Sequence, residues 1–225
     1  MRTNQDYKNA ALNRLRGNWA PGVIATLVYI LIVGIIAGGS QSPTLFARRL
    51  VTDASATWAM FGITGLGLVA TIFVVYPMQV GYQNANRLLF ERRDYNVTSN
   101  MIQLATSNYL HKVGGMFMMF LKVFLWTLLF IIPGIIMSFA YAMTPYILED
   151  HPEIGIWEAS TRSREMMKGH KFDLFYLDLS FIGWFLLGIL TFGIGLLWLS
   201  PYIQGATSAF YNDLKAGLGE DAVTE

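Results

Sequence analysis

The feature that most limits what this chain can fold into is the 36-residue stretch from Val113 to Leu148. It is largely apolar, with Lys122 its only charged residue, and is interrupted by Pro133-Gly134. A helix needs about 20 apolar residues to cross roughly 30 Å of hydrocarbon, so this stretch is too long for one crossing. It reads as two helices joined by a tight turn. The same holds from Phe172 to Phe210, where Thr191-Phe192-Gly193-Ile194-Gly195 interrupts the run without a charge.

Two further apolar runs precede these. The spans are expected over about 19–39, 59–82, 113–132, 134–148, 172–191 and 194–212, in one membrane domain covering 1–225. Residues 40–58, with Gln41, Ser42, Pro43 and Asp53, read as a polar connection, and residues 84–112 as a helix tail plus a loop. The run from Trp19 is too long for a signal-peptide core and no small-residue cleavage site follows it, so it is expected to be retained.

An alternative topology gives each long stretch one crossing plus a re-entrant piece. Charge placement argues against it. Four Lys and Arg precede Trp19, two lie at Arg48-Arg49, four run from Arg87 to Lys112, four from Arg162 to Lys171, and Lys215 is near the end. Six spans put thirteen of these fifteen on one side, as the positive-inside rule favours. The expected fold is therefore an all-α polytopic membrane bundle of six helices in three hairpins, with both termini in the cytoplasm.

Composition agrees. The chain is 54% hydrophobic and 14% charged, against about 25% charged in soluble domains. Its net charge of +1 offers no basic excess to draw nucleic acid. With no cysteine, disulfides, thiolate catalysis and thiolate metal sites are excluded.

Each even-numbered span carries a proline: Pro77, Pro145 and Pro201. Pro77, Gly81 and Ala85 share their spacing with Pro201, Gly205 and Ala209, and Pro145-Tyr146-Ile147 echoes Pro201-Tyr202-Ile203. These prolines are read as kinks, tolerated where neighbours satisfy the freed carbonyl.

Between the fourth and fifth spans, an amphipathic cytoplasmic helix is expected over about 152–168. Asp150 is placed to cap it, Pro152 suits its first turn, Glu153 completes a capping-box spacing, and Gly169 suits a left-handed stop. Ile156, Ala159, Ser163, Met166 and Met167 share one side, opposite Glu158, Arg162 and Glu165.

The stretch from Ile147 to Leu214 carries Glu149-Asp150-His151-Pro152, Glu158-Ala159, Arg162-Ser163-Arg164 and Met167-Lys168-Gly169-His170-Lys171. It continues with Leu177-Asp178-Leu179-Ser180 and Leu199-Ser200-Pro201-Tyr202. With Leu15-Arg16-Gly17-Asn18-Trp19 near the start, it resembles the bacterial membrane-protein family known as domain of unknown function 975. It is also loosely similar to the membrane domain that accompanies some glycerophosphodiester phosphodiesterases. The resemblance implies a multi-pass protein of the bacterial cytoplasmic membrane and supplies no activity.

Two ionisable side chains fall inside expected spans, Lys122 and Asp178, each roughly 10–15 Å from the cytoplasmic end at about 1.5 Å per residue. Intramembrane charge points to function, so they form a candidate polar site, weighed against an ion pair that only fixes helix packing. His111, His151 and His170 lack metal-type spacing, and no phosphate loop or nucleophile elbow appears. No cofactor is expected. Arg92, Arg93, Lys168 and Lys171 are placed to meet anionic lipid headgroups. The leading expectation is a non-enzymatic protein acting through lipids or a membrane-protein partner. The alternative is a small transporter or channel subunit using Lys122 and Asp178. A third reading, a lipid-acting enzyme, rests on His170, Asp173 and Asp178.

Overall fold

A computed structural model describes the backbone over residues 2–50, 62, 64–92 and 95–218. The described elements are α1 (Asn4–Leu15), α2 (Trp19–Leu50), α3 (Thr64–Arg92, with a π-helical turn at Thr71–Val75) and α4 (Val97–Thr106). They continue with α5 (Tyr109–Leu129), α6 (Ile131–Ala140), α7 (Thr144–Asp150) and α8 (Ile156–Met166). The last three are α9 (Lys171–Leu179), α10 (Ile182–Leu190) and α11 (Ile194–Leu218). No strand occurs among the described residues.

Among the described residues, five stretches are long and apolar enough to cross a membrane: Trp19–Ile36, Thr64–Arg92, Tyr109–Leu129, Ile131–Asp150 and Lys171–Leu190. The expected sixth span lies within α11, which is long enough but turns polar from Gln204 onward, through Thr207, Ser208, Asn212 and Asp213. That polar half is packed instead of bare. Tyr7, Ala11 and Leu15, one stripe of α1, are buried, with Tyr7 edge-to-face on Phe210 at 5.5 Å. Ala11 lies close against Gly205.

Several expected boundaries move, each for a local reason. Of the expected connection, residues 40–50 stay helical as the end of α2, and residues 51–58 lie outside the described residues. Of the expected second span, residues 59–61 and 63 lie outside the described residues. Its helix runs ten residues past Tyr82 to Arg92, since Asn84, Asn86 and Arg87 are buried in the bundle and are not loop residues. The expected loop after it holds α4. The first long hairpin turns at Phe130, which is extended (φ −157°, ψ 145°), while Pro133 and Gly134 lie in the first turn of α6. Proline is well tolerated in a first helical turn. A Cβ on Gly134 would stand 2.8 Å from the Thr127 Cα, so glycine brings the two arms together. The second hairpin turns where expected, through Phe192 (φ 54°) and Gly193 (φ 86°).

Side chains are unevenly distributed. The buried core gathers around α1, the second half of α3, α4, α7, α8 and the second half of α11. Toward the hairpin turns, large apolar side chains are bare, with Leu128 74% and Phe192 100% exposed. A bare apolar surface of this extent suits lipid as solvent.

Gly81 permits a close helix approach. A Cβ there would strike the Met101 carbonyl oxygen and lie 2.9 Å from the Ala105 nitrogen, so α4 packs on α3 backbone to backbone. Gly81→Val is expected to cost about 1–3 kcal/mol, the usual penalty for overpacking. Thermal unfolding of the purified protein in detergent is the check; an unchanged midpoint would mean the α3–α4 contact is looser than described.

Candidate functional site

Charged side chains converge where α3, α5, α7 and α11 meet. Asp150, the last residue of α7, takes Arg87 Nη2 on Oδ1. On Oδ2 it accepts the Tyr211 hydroxyl at 2.9 Å and Lys215 Nζ at 3.0 Å. Arg87 also faces Glu91 at 3.7 Å. Its guanidinium lies 5.9 Å from the Tyr146 ring and 5.6 Å from the Tyr211 ring, and those rings stack at 5.0 Å. Next to Asp150, Glu149 pairs with Lys112 at 2.5 Å. The Lys112 ammonium also donates to the Leu104 carbonyl and, at 2.8 Å, to Ser107 Oγ.

The physical logic starts from α7. Carboxylates at a helix C-terminus oppose the helix dipole, and burial makes them costlier still. Asp150 is tolerable there because two cations and a phenol surround it, in charge-assisted hydrogen bonds. This explains why Asp150 does not cap the following helix, as its spacing suggested. The carboxylate serves stronger donors than a backbone N–H, and α8 starts instead at Ile156 behind Gly155, with no side-chain cap. The helix expected over 152–168 is thus narrower, Ile156–Met166, with Pro152 and Glu153 exposed in the turn before it.

The rest of that motif mostly joins elements. Ser163 Oγ donates to the Ala140 carbonyl at 3.0 Å, satisfying the end of α6 where the chain breaks before α7. Glu158 is exposed in the first turn of α8, where its charge suits the dipole, and Arg162 is half-buried. Gly169 has φ +90°, the left-handed conformation expected of it. His170 Nδ1 meets Asp173 at 3.0 Å, and the exposed Lys168 and half-buried Lys171 lie on either side of that turn.

The two intramembrane candidates are not brought together. Lys122 Nζ donates to Ser160 Oγ at 2.5 Å and lies 3.8 Å from the Trp157 ring centre and 5.5 Å from that of Tyr141. Its long stem lets the ammonium reach α8 and an aromatic face instead of staying among lipid tails. Asp178 lies at the far end of α9, and no ion pair joins it to Lys122.

The prolines occupy three different settings. Pro77 follows the π-helical turn of α3, and the Phe73 carbonyl, four residues earlier, accepts the Tyr109 hydroxyl. Pro145 sits in the first turn of α7, where no N–H is needed. Pro201 lies inside α11, pressed against Gly22, where a Cβ would stand 2.8 Å from the proline Cβ.

On the same stretch of α11, between Tyr211 and Lys215, Asp213 anchors α1 by accepting the Tyr7 hydroxyl on Oδ2 at 2.7 Å; burial first, then that carboxylate, pushes the phenol pKa up and keeps it a donor. The capping box of Thr3 with Asp6 holds the Asp6 carboxyl below its usual range, chiefly through the Thr3 hydroxyl.

Two apolar grooves open on the outer surface. One, about 410 Å³, is lined by Trp19, Trp184, Trp198 and Tyr202 among others. The second, about 330 Å³, lies between α6 and α9, with walls of Ile135, Ile136, Phe139, Phe172 and Phe175, and with Lys168 and Lys171 at the end where α9 begins.

Helices of this length and apolarity around an ion-paired polar cluster define a polytopic α-helical membrane protein. A family model described as a protein of unknown function (DUF975) matches residues 94–217, more than half the chain, and the chain belongs to that family. No curated protein and no solved structure matches it.

Removing one partner of a buried pair leaves the other charge uncompensated, which typically costs about 3–5 kcal/mol. Asp150→Ala is accordingly expected to destabilise the protein by about 3 kcal/mol. Lys215→Met, whose side chain is more exposed at 22%, should cost clearly less. Chemical denaturation in detergent distinguishes them; equal and small effects would show that the cluster contributes little to stability.

Proposed function

We propose that this chain is a non-enzymatic protein of the bacterial cytoplasmic membrane that acts by binding lipids or a membrane-protein partner. The observation that carries this reading is how the charge is distributed. The buried Arg87 and Lys112 and the half-buried Glu149 and Asp150 are consumed in pairing helices with one another. Meanwhile the two grooves described above open outward and are lined mainly by apolar side chains, in large part from helices long and apolar enough to cross a membrane. Such a molecule presents its recognition surface sideways, within the membrane.

The expected result in lipid nanodiscs is retention of a particular lipid class or a particular protein, identified by mass spectrometry of the purified discs. Retention should survive Lys122→Met and Asp178→Asn, because neither residue lies on the groove walls given above. Solute flux through proteoliposomes that is abolished by those two substitutions would overturn the reading in favour of transport.

A further inference from the structure

The groove between α6 and α9 differs from the tryptophan-lined one in having cations at one end. Its walls are Ile135, Ile136 and Phe139 on α6 and Phe172 and Phe175 on α9. Phe139 and Phe175 meet edge-to-face at 5.7 Å and tie the two helices together. Phe172 is 69% and Ile135 51% exposed, so the groove is open to whatever lies beside the bundle. Its volume, about 330 Å³, falls at the lower end of the range for small-molecule sites, about 300–1,000 Å³.

The polar end is built from Lys168, Gly169 and Lys171. Neither lysine ammonium has a hydrogen bond or ion pair with a described residue. Asp173, two residues after Lys171, meets His170 at 3.0 Å, and Glu165 and Asp213 share a separate hollow with Lys168 without forming an ion pair to it. At Gly169, φ +90° turns the chain so that both lysines serve one end of the groove, and a Cβ there would meet nothing within 4 Å. Space is therefore left at the cationic end. Two ammonium groups without an ion pair beside an apolar trough match a molecule that is anionic at one end and hydrocarbon at the other.

We infer that this groove binds one anionic phospholipid, its phosphate held by Lys168 and Lys171 and part of one acyl chain lying between Ile135, Ile136, Phe139, Phe172 and Phe175. The site rests on the lipid-binding reading above and gives it a place and a lipid class. The phosphate supplies the counter-charge that the protein does not, and the acyl chain covers apolar surface that no described segment covers. The other groove has no charged residue in its lining, so it provides no comparable basis for choosing among lipids.

The test is native mass spectrometry of the full chain in detergent, titrated with palmitoyl-oleoyl phosphatidylglycerol or with the phosphatidylcholine of the same chains. Wild type is expected to hold a single phosphatidylglycerol in preference to phosphatidylcholine. Lys168→Gln with Lys171→Gln should weaken phosphatidylglycerol by about thirtyfold, the factor that follows from about 1 kcal/mol per lysine and tenfold per 1.4 kcal/mol. The double arginine variant should keep the preference, showing that charge and not fold is being read. Ile136→Trp, which fills the trough, should weaken both lipids. Undiminished preference in the glutamine variant, or equal retention of the two lipids by wild type, overturns the site. Retention of a protein partner in nanodiscs with no lipid in the groove would remove this site and leave the broader reading standing; retention of neither would remove both.

Discussion

The interaction on which the bundle depends is the one at Asp150, because it joins segments that are far apart in sequence and that lipid alone would not sort. Hydrocarbon surrounds every apolar helix face equally, so burial of apolar surface does little to choose one helix neighbour over another inside a bilayer. A carboxylate that must be neutralised does choose. Asp150 accepts from Arg87 on α3 and from Tyr211 and Lys215 on α11, while the adjacent Glu149 holds Lys112 on α5. The end of one short helix thereby fixes the positions of three others. Its opposition to the helix dipole is offset by the cations it attracts.

Away from that cluster the same problem recurs in smaller form, wherever a helix is broken. Each break frees backbone carbonyls, and a carbonyl without a donor is costly away from water. Tyr109 donates to Phe73 beside Pro77, Ser163 donates to Ala140 at the end of α6, and Lys112 donates to Leu104 near the end of α4. The donors come from other elements, so each irregularity also becomes a cross-link. A close backbone contact at Gly81 and the Pro201 ring pressed on Gly22 complete the arrangement, since small residues are what allow helices to touch without a hydrophobic force between them.

Much of this architecture was legible in the residues, and the parts that were not share a cause. The long apolar runs announced the helices and both hairpins because they hold so few charges. Pro133-Gly134 reads as the turn because such residues punctuate loops in general, whereas here they start a helix and let it touch Thr127, and the chain turns at Phe130. The helices α1 and α4 were invisible as elements, being short and polar between stronger signals. The ionic cluster was hidden for a different reason: Arg87 and Lys112 look like ordinary orientation charges, and Asp150 sits at a spacing that suits a cap. Only the packing of residues more than sixty positions apart, Arg87 with Asp150 and Asp150 with Lys215, gives them another role. Lys122 and Asp178 were singled out for being charged in apolar surroundings, but a lysine stem long enough to reach Ser160 and Trp157 needs no acidic partner nearby.

The bare hairpin turns bear on how such a chain enters a membrane at all. No charged residue occurs between Lys122 and Glu149, nor between Asp178 and Asp213, so the turns at Phe130 and at Phe192-Gly193 carry nothing that must be stripped of water on the way through. Moving a single charge to the middle of a bilayer costs about 2.5–3.5 kcal/mol on insertion scales. Each hairpin is free of that toll along its whole leading edge, so its two arms are able to enter together from the side on which they were made, while the charged ends stay behind in water until they find one another.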